Sequence, residues 1–457
     1  MIHWLQKETG GLLVLCGLAI AVLLVLIIRV KLEPFIALLI SGLVLGLAAG
    51  LPVGRLVGTA LKSGDSILET GFGGILGHIA VIIGLGTVLG AILEASGGAE
   101  ALTRRLLSTF GERGAPVAMG LAGLIFGIPV FFDIGIFVLA PLVYVAARRG
   151  GRSLVLYALP LLAGLSMTHA FLPPHPGPVA IAGLLGVDMG WIIVMGLACG
   201  LPAFAVAGIL WPMWIGKRVR IEVPADFVVE ESDHRPVSLG LVGAIIGTPL
   251  LLILGATFST VWAPRAAVTP YLTFLGNPSI ALTIAVLLAF WLLGLRRGMT
   301  GTQLAALTGA SLKPIGMILL VVGAGAFFGK VISATGVGAA LAGTLKSAGL
   351  PTLVLAYLIS CGLRVAQGSA TVAIVTTGGI VAPLVAADGL SQPRIALVAC
   401  AIAAGSIIAS HVNDGGFWIV SRYFNMSVKD TLRTWTVLET ILSLVGFTMA
   451  GVLSLVL

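Results

Sequence analysis

Four short clusters carry polar side chains into runs of sequence that are otherwise apolar, where a charge at membrane depth costs roughly 2.5–3.5 kcal/mol or more. Ala409 to Trp418, ASHVNDGGFW, sets His411, Asn413 and Asp414 beside Gly415 and Gly416, so donors, acceptors and a titratable pair share one helix-breaking turn. Gly362 to Gly379 places Arg364 and Gln367 before Gly368, and Ser369 and Thr371 then open a new apolar helix. A guanidinium, hydroxyls and the free N–H groups of a helix N-terminus together suit a carboxylate. Ser166 to Pro178, SMTHAFLPPHPGP, breaks a would-be spanning helix with four prolines and contains Thr168, His169 and His175. Phe126 to Gly135, FGIPVFFDIG, puts Asp133 near the helix breaker Pro129.

The chemistry these residues allow is recognition of a small hydroxylated anion and movement of a proton. Arg364, Gln367, Gly368, Ser369, Thr371, Asn413 and Thr168 are the candidate substrate contacts, since desolvated hydroxyl groups need paired donors and acceptors. Asp133, His169, His411 and Asp414 are the candidates for carrying a coupling proton. Each has a structural alternative: Asp133 as a helix cap, the histidines in satisfied hydrogen bonds, Ser369 as a cap while Arg364 snorkels, and 409–418 as a plain turn. No metal site is expected, because His169 and His175 are separated by a stretch with two prolines that keeps them off one helix face. Neither HExxH nor GxSxG occurs, which leaves an intramembrane hydrolase only isolated Ser and His residues to work with. No cofactor is expected.

The elements that must position these clusters are membrane helices. Of 457 residues 58% are hydrophobic and 10% charged, far below the roughly 25% charged of a soluble domain. The net charge of +8 arises from short Lys/Arg clusters between apolar runs, as cytoplasmic loops require, which argues against a nucleic-acid face. Cys16, Cys199, Cys361 and Cys400 fall inside apolar runs without paired spacing. Roughly ten crossings are expected, and the segments 114–147 and 351–388 read as re-entrant hairpins, because the first is flanked by arginine clusters that belong to the same compartment.

The chain also repeats itself. Gly77 to Leu102 recurs as Gly316 to Leu341 with the same G-x6-G-x-G-x3-G-x6-G frame. Two matching halves in a very apolar chain imply a secondary transporter whose site lies where they meet. The expected organisation is residues 1–216 as a first repeat, 217–237 as a cytoplasmic linker containing His234, and 238–457 as a second repeat. Counting crossings makes the repeats inverted. The fold class is therefore an all-α polytopic membrane protein of two inverted repeats, with about ten spanning helices, two re-entrant hairpins and two broken helices.

Several long segments, GIPVFFDIGIF, HAFLPPHPGPVA, RVAQGSATVA and SHVNDGGFW, together with GFGGILGHIAVIIGLGTVLGAILEASGGA, resemble the gluconate:proton symporter family of the ion-transporter superfamily. The resemblance runs from about residue 11 to the C-terminus. It implies uptake of gluconate or a related sugar acid with protons across a bacterial inner membrane, by a dimer with elevator-like alternating access. Other small carboxylates, among them glycerate, hexuronates and D-serine, are alternative substrates within that resemblance. Sodium, which needs only oxygen ligands at the same turns, is the alternative coupling ion.

Overall fold

The structure, a computed structural model, describes residues 2–59, 65–223, 237–313, 315–337, 340, 351–411 and 414–457. The expected connector is thereby described only at its two ends, and His234 lies outside the described residues. The helices of nine residues or more are α1 Thr9–Ile28, α2 Pro34–Ala48, α3 Ile67–Ala95, α4 Gly98–Gly127, α5 Phe132–Gly150, α6 Val155–Phe171, α7 Pro176–Leu185 and α8 Met189–Phe204. They continue as α9 Leu239–Trp262, α10 Pro278–Ala289, α11 Gly301–Leu312, α12 Ile315–Ala334, α13 Thr352–Gln367, α14 Ala370–Asp388, α15 Gln392–Ile407, α16 Gly415–Tyr423 and α17 Val437–Ser454. The architecture is all-α, as expected.

Local chemistry sets the ends of these helices. Ser66 caps α3 by accepting from the Glu69 N–H at 3.1 Å, and Pro34, Pro176 and Pro278 stand in first turns, where no amide donor is needed. Gly186 and Gly389 close α7 and α14 at φ 67° and 59°. Inside α4, Gly111 is non-helical at φ 62°, so that element is two helices joined at a kink.

The two segments expected to form re-entrant hairpins, 114–147 and 351–388, each fold as a pair of helices. The part of α4 after Gly111 turns into α5 across residues 128–131, and α13 turns into α14 at Gly368–Ser369. Both expected broken helices are present too, as α6/α7 around Leu172–His175 and α15/α16 around 408–414. Nine stretches of the described residues are long and apolar enough to cross a membrane, α14 among them; α2 and α15 are shorter.

The core centres on α6, whose residues from Val155 to Thr168 are all buried. It packs against α4, α5, α8 and α15. The two helices carrying the repeated glycine frame, α3 and α12, pack against each other, and each also seats a hairpin. A Cβ at Gly90 would stand 2.3 Å from the Pro129 carbonyl oxygen, and one at Gly329, the matching position in the frame, 2.5 Å from the Gly379 carbonyl oxygen. Only glycine lets backbones approach so closely, the usual device of helix packing in lipid. The same frame position therefore does the same work in both halves.

Candidate functional site

Both hairpin tips and both helix breaks converge on one cavity of about 600 Å³, within the 300–1,000 Å³ usual for small-molecule sites. The four helices that follow the hairpin turns and the helix breaks all begin on it, at Phe132 of α5, Pro176 of α7, Ala370 of α14 and Gly415 of α16, and Ile315, the first residue of α12, lines it too. Each helix therefore points its positive dipole end at the same space. Phe131, Ile318, Ile407 and Trp435 supply apolar walls.

Arg364 is the cation of this cavity. It lies in the last turn of α13, is buried, and is turned back over its own helix end, where Nη1 donates to the Gly368 carbonyl oxygen. Gly368 permits that closure because it adopts φ 82°, left-handed, with its N–H donating to the Arg364 carbonyl at 2.9 Å. Nη2 donates to Asp414 Oδ2 in a part-buried ion pair, while Nε meets no acceptor. Ser369 then caps α14, accepting from the Val372 N–H at 3.4 Å.

Asp414 is held from several sides. Its Oδ1 accepts from the Gly416 N–H at 2.9 Å as the N-cap of α16, and its Oδ2 accepts from Ser410 Oγ as well as from Arg364. Ser410 in turn accepts from the Trp435 indole N–H at 2.8 Å. The second helix break is thus tied to the second hairpin and to the segment leading into α17.

On the opposite wall, His169 lines the cavity and stands against buried His175, their ring centroids 4.9 Å apart. His175 Nε2 donates to the Gly127 carbonyl oxygen at 2.6 Å, which fixes the end of the first hairpin's leading helix. Asp133 sits in the first turn of α5 and faces the cavity.

Of the residues singled out from sequence, the fold brings Arg364, Gly368, Ser369, Thr371, Asp133, His169 and Asp414 to the cavity. Thr168 is not on its wall: the hydroxyl is buried and donates to the Gly164 and Leu165 carbonyls of its own helix, each at 3.0 Å. His411 lies outside the lining, where its carbonyl accepts from the Asp414 N–H. Asn413 and the Gln367 side chain lie outside the described residues.

Sequence reading passed over Ser166, Trp435 and Glu439, all of which line the cavity. Glu439 is 1% exposed, and its Oε2 accepts from Ser166 Oγ at 3.0 Å. A signal was available, because a lone carboxylate inside the apolar run of α17 is expensive in a membrane.

A GntP family permease model matches residues 12–456. The chain belongs to the GntP permease family. Among its relatives are inner membrane permease YgbN of Escherichia coli, 42% identical over 96% of this chain and 98% of that one, and a gluconate permease of Pseudomonas aeruginosa, 41% identical over 95% and 96%. Among solved structures, the Alcanivorax borkumensis YdaH transporter superposes with a TM-score of 0.62 over 92% of this chain and 96% of that one, at 15% identity, a likeness of fold. As a GntP family permease the chain is a multi-pass inner-membrane transporter and not an enzyme.

Proposed function

We propose that the cavity binds gluconate or a related sugar acid and that a proton gradient drives its import by alternating access. The observation that carries this reading is the convergence of four helix N-termini and the Arg364 guanidinium on one cavity, an arrangement suited to a single negative charge. Arg364 Nε is buried without an acceptor and offers a donor to an incoming carboxylate. Ser369 and Thr371 stand beside it to meet substrate hydroxyls, and Trp435 and Phe131 provide apolar faces for the carbon chain. Relatives named gluconate permeases support this substrate class. Inverted repeats at 1–216 and 238–457, joined by 217–237 and assembled as a homodimer, belong to the same proposal. The pairing of Gly90 with Gly329 supports the repeat.

Uptake of labelled gluconate by proteoliposomes, in sodium-free buffer with an imposed inward proton gradient, tests it. Saturable accumulation that a protonophore abolishes is the expected result. Accumulation only on adding sodium would replace the coupling ion, and no uptake of any sugar acid would remove the substrate class.

A further inference from the structure

The three carboxyl groups on the cavity, Asp133, Asp414 and Glu439, are held in different ways. Asp414 holds the Arg364 guanidinium and accepts from Ser410 and the Gly416 N–H as well. Asp133 stands at the start of α5, exposed to the cavity and beside the positive end of a helix dipole. Glu439 differs. Its Oε2 accepts one bond from Ser166, while its Oε1 is buried with no donor, and no cation pairs with it among the described residues. A carboxylate needs partners on both oxygens, whereas a carboxylic acid needs fewer and can itself donate.

Charge balance points the same way. The groups facing Glu439 are His169 on α6, Arg364 on α13, Asp414 before α16 and Asp133 on α5. Tyr357 of α13 lies further along, bonded to Ser443 one turn beyond Glu439, and the elements packed on α17 also carry Cys199 on α8, Arg394 and Cys400 on α15, Tyr157 on α6 and Arg433 in the segment 432–436. Among the residues that line the cavity Arg364 is the fixed cation, and Asp414 already neutralises it. An arriving sugar-acid carboxylate therefore meets helix dipoles and a guanidinium that already has a partner, but no unpaired cation among the described residues of the lining, in surroundings where uncompensated charge is costly.

We propose that Glu439, with Ser166 holding one of its oxygens, takes up and releases the coupling proton. This rests on the proton-driven reading above. As the anion binds, a proton from cavity water adds to Glu439 Oε1; once the cavity opens to the other side, the O–H bond breaks and the proton returns to water there. No other bond changes. Ser166 is a positioning residue, joining α17 to α6 beside His169.

The test compares wild type with Glu439→Gln in gluconate-loaded proteoliposomes, measuring exchange without a gradient and accumulation with one. A pH gradient of one unit sustains about tenfold accumulation per coupled proton, since one unit is worth about 1.4 kcal/mol. The Gln variant, which mimics the protonated acid, is expected still to exchange labelled for unlabelled gluconate while accumulation collapses to equilibration. Tenfold accumulation by Glu439→Gln overturns the assignment, as does loss of exchange together with accumulation in a correctly folded variant. Failure of wild type to accumulate under the gradient sinks the proton-symport reading instead. Should the Gln variant not reconstitute, Glu439→Asp decides: gradient-driven uptake with a displaced pH midpoint supports the assignment, and an unaltered pH profile overturns it.

Discussion

Arg364 and Asp414, fifty residues apart, form an ion pair inside the membrane-embedded core, so the cation of the cavity is already partnered before any substrate arrives. Their side chains are 5% and 13% exposed. The pair joins the tip of the second hairpin to the second helix break, and under the proposed function a substrate carboxylate would share the guanidinium with Asp414 or displace it.

Removing one member should cost more than removing both. Arg364→Ala leaves a part-buried carboxylate without its cation and is expected to destabilise by about 2–4 kcal/mol. Arg364→Ala combined with Asp414→Asn should recover a large part of that loss yet remain unable to bind the anion. Thermal unfolding of the purified protein and gluconate binding, measured on the single and double variants, separate the two effects. A double variant no more stable than Arg364→Ala would show that the pair does not act as a unit.

Gly90→Ala and Gly329→Ala each drive a methyl group into a hairpin carbonyl. Each is expected to destabilise by roughly 1–3 kcal/mol through overpacking. Gly243→Ala in α9, where a Cβ would meet nothing within 4 Å, should be neutral or stabilising by up to about 1 kcal/mol. Unfolding midpoints for the three proteins decide the point, and equal effects at all three positions would count against the seating role.

Trp435→Phe keeps the ring and removes the indole N–H that bonds Ser410 at 2.8 Å. The loss should be about 1 kcal/mol. Because Ser410 also donates to Asp414, a double-mutant cycle with Ser410→Ala should show coupling of about 0.5 kcal/mol or more. Additive effects would mean that the indole contributes only its bulk.

The two histidines should separate by role. His175→Ala takes the partner from the buried Gly127 carbonyl and is expected to destabilise by about 1–3 kcal/mol. His169→Ala, on the cavity wall, should leave the melting point nearly unchanged and raise the KM for uptake. Should His175→Ala alter KM without loss of stability, its assignment to structure fails.

Much of this architecture is written in local patterns. Apolar runs, N-terminal prolines and terminal glycines specify helices one at a time, so the chain breaks are readable from Pro129, Gly368, Pro173 and Gly415, with the arginine clusters on either side of 114–147 marking the first hairpin. The repeated glycine frame is equally legible, although what it accommodates is not: Gly90 meets Pro129, and Gly329 meets Gly379, through packing between separate helices.

The sequence by itself determined that the chain is a bundle of interrupted membrane helices and that its polar residues gather at the interruptions, because hydrophobicity and backbone conformation act over a few neighbouring residues. Tertiary structure alone decided which of those residues face one another. Nothing local distinguishes Thr168, which bonds within its own helix, from Ser166 two residues earlier, which reaches Glu439 273 residues away. The choice depends on which face of α6 meets α17, and that is settled by the packing of the whole bundle rather than by either segment.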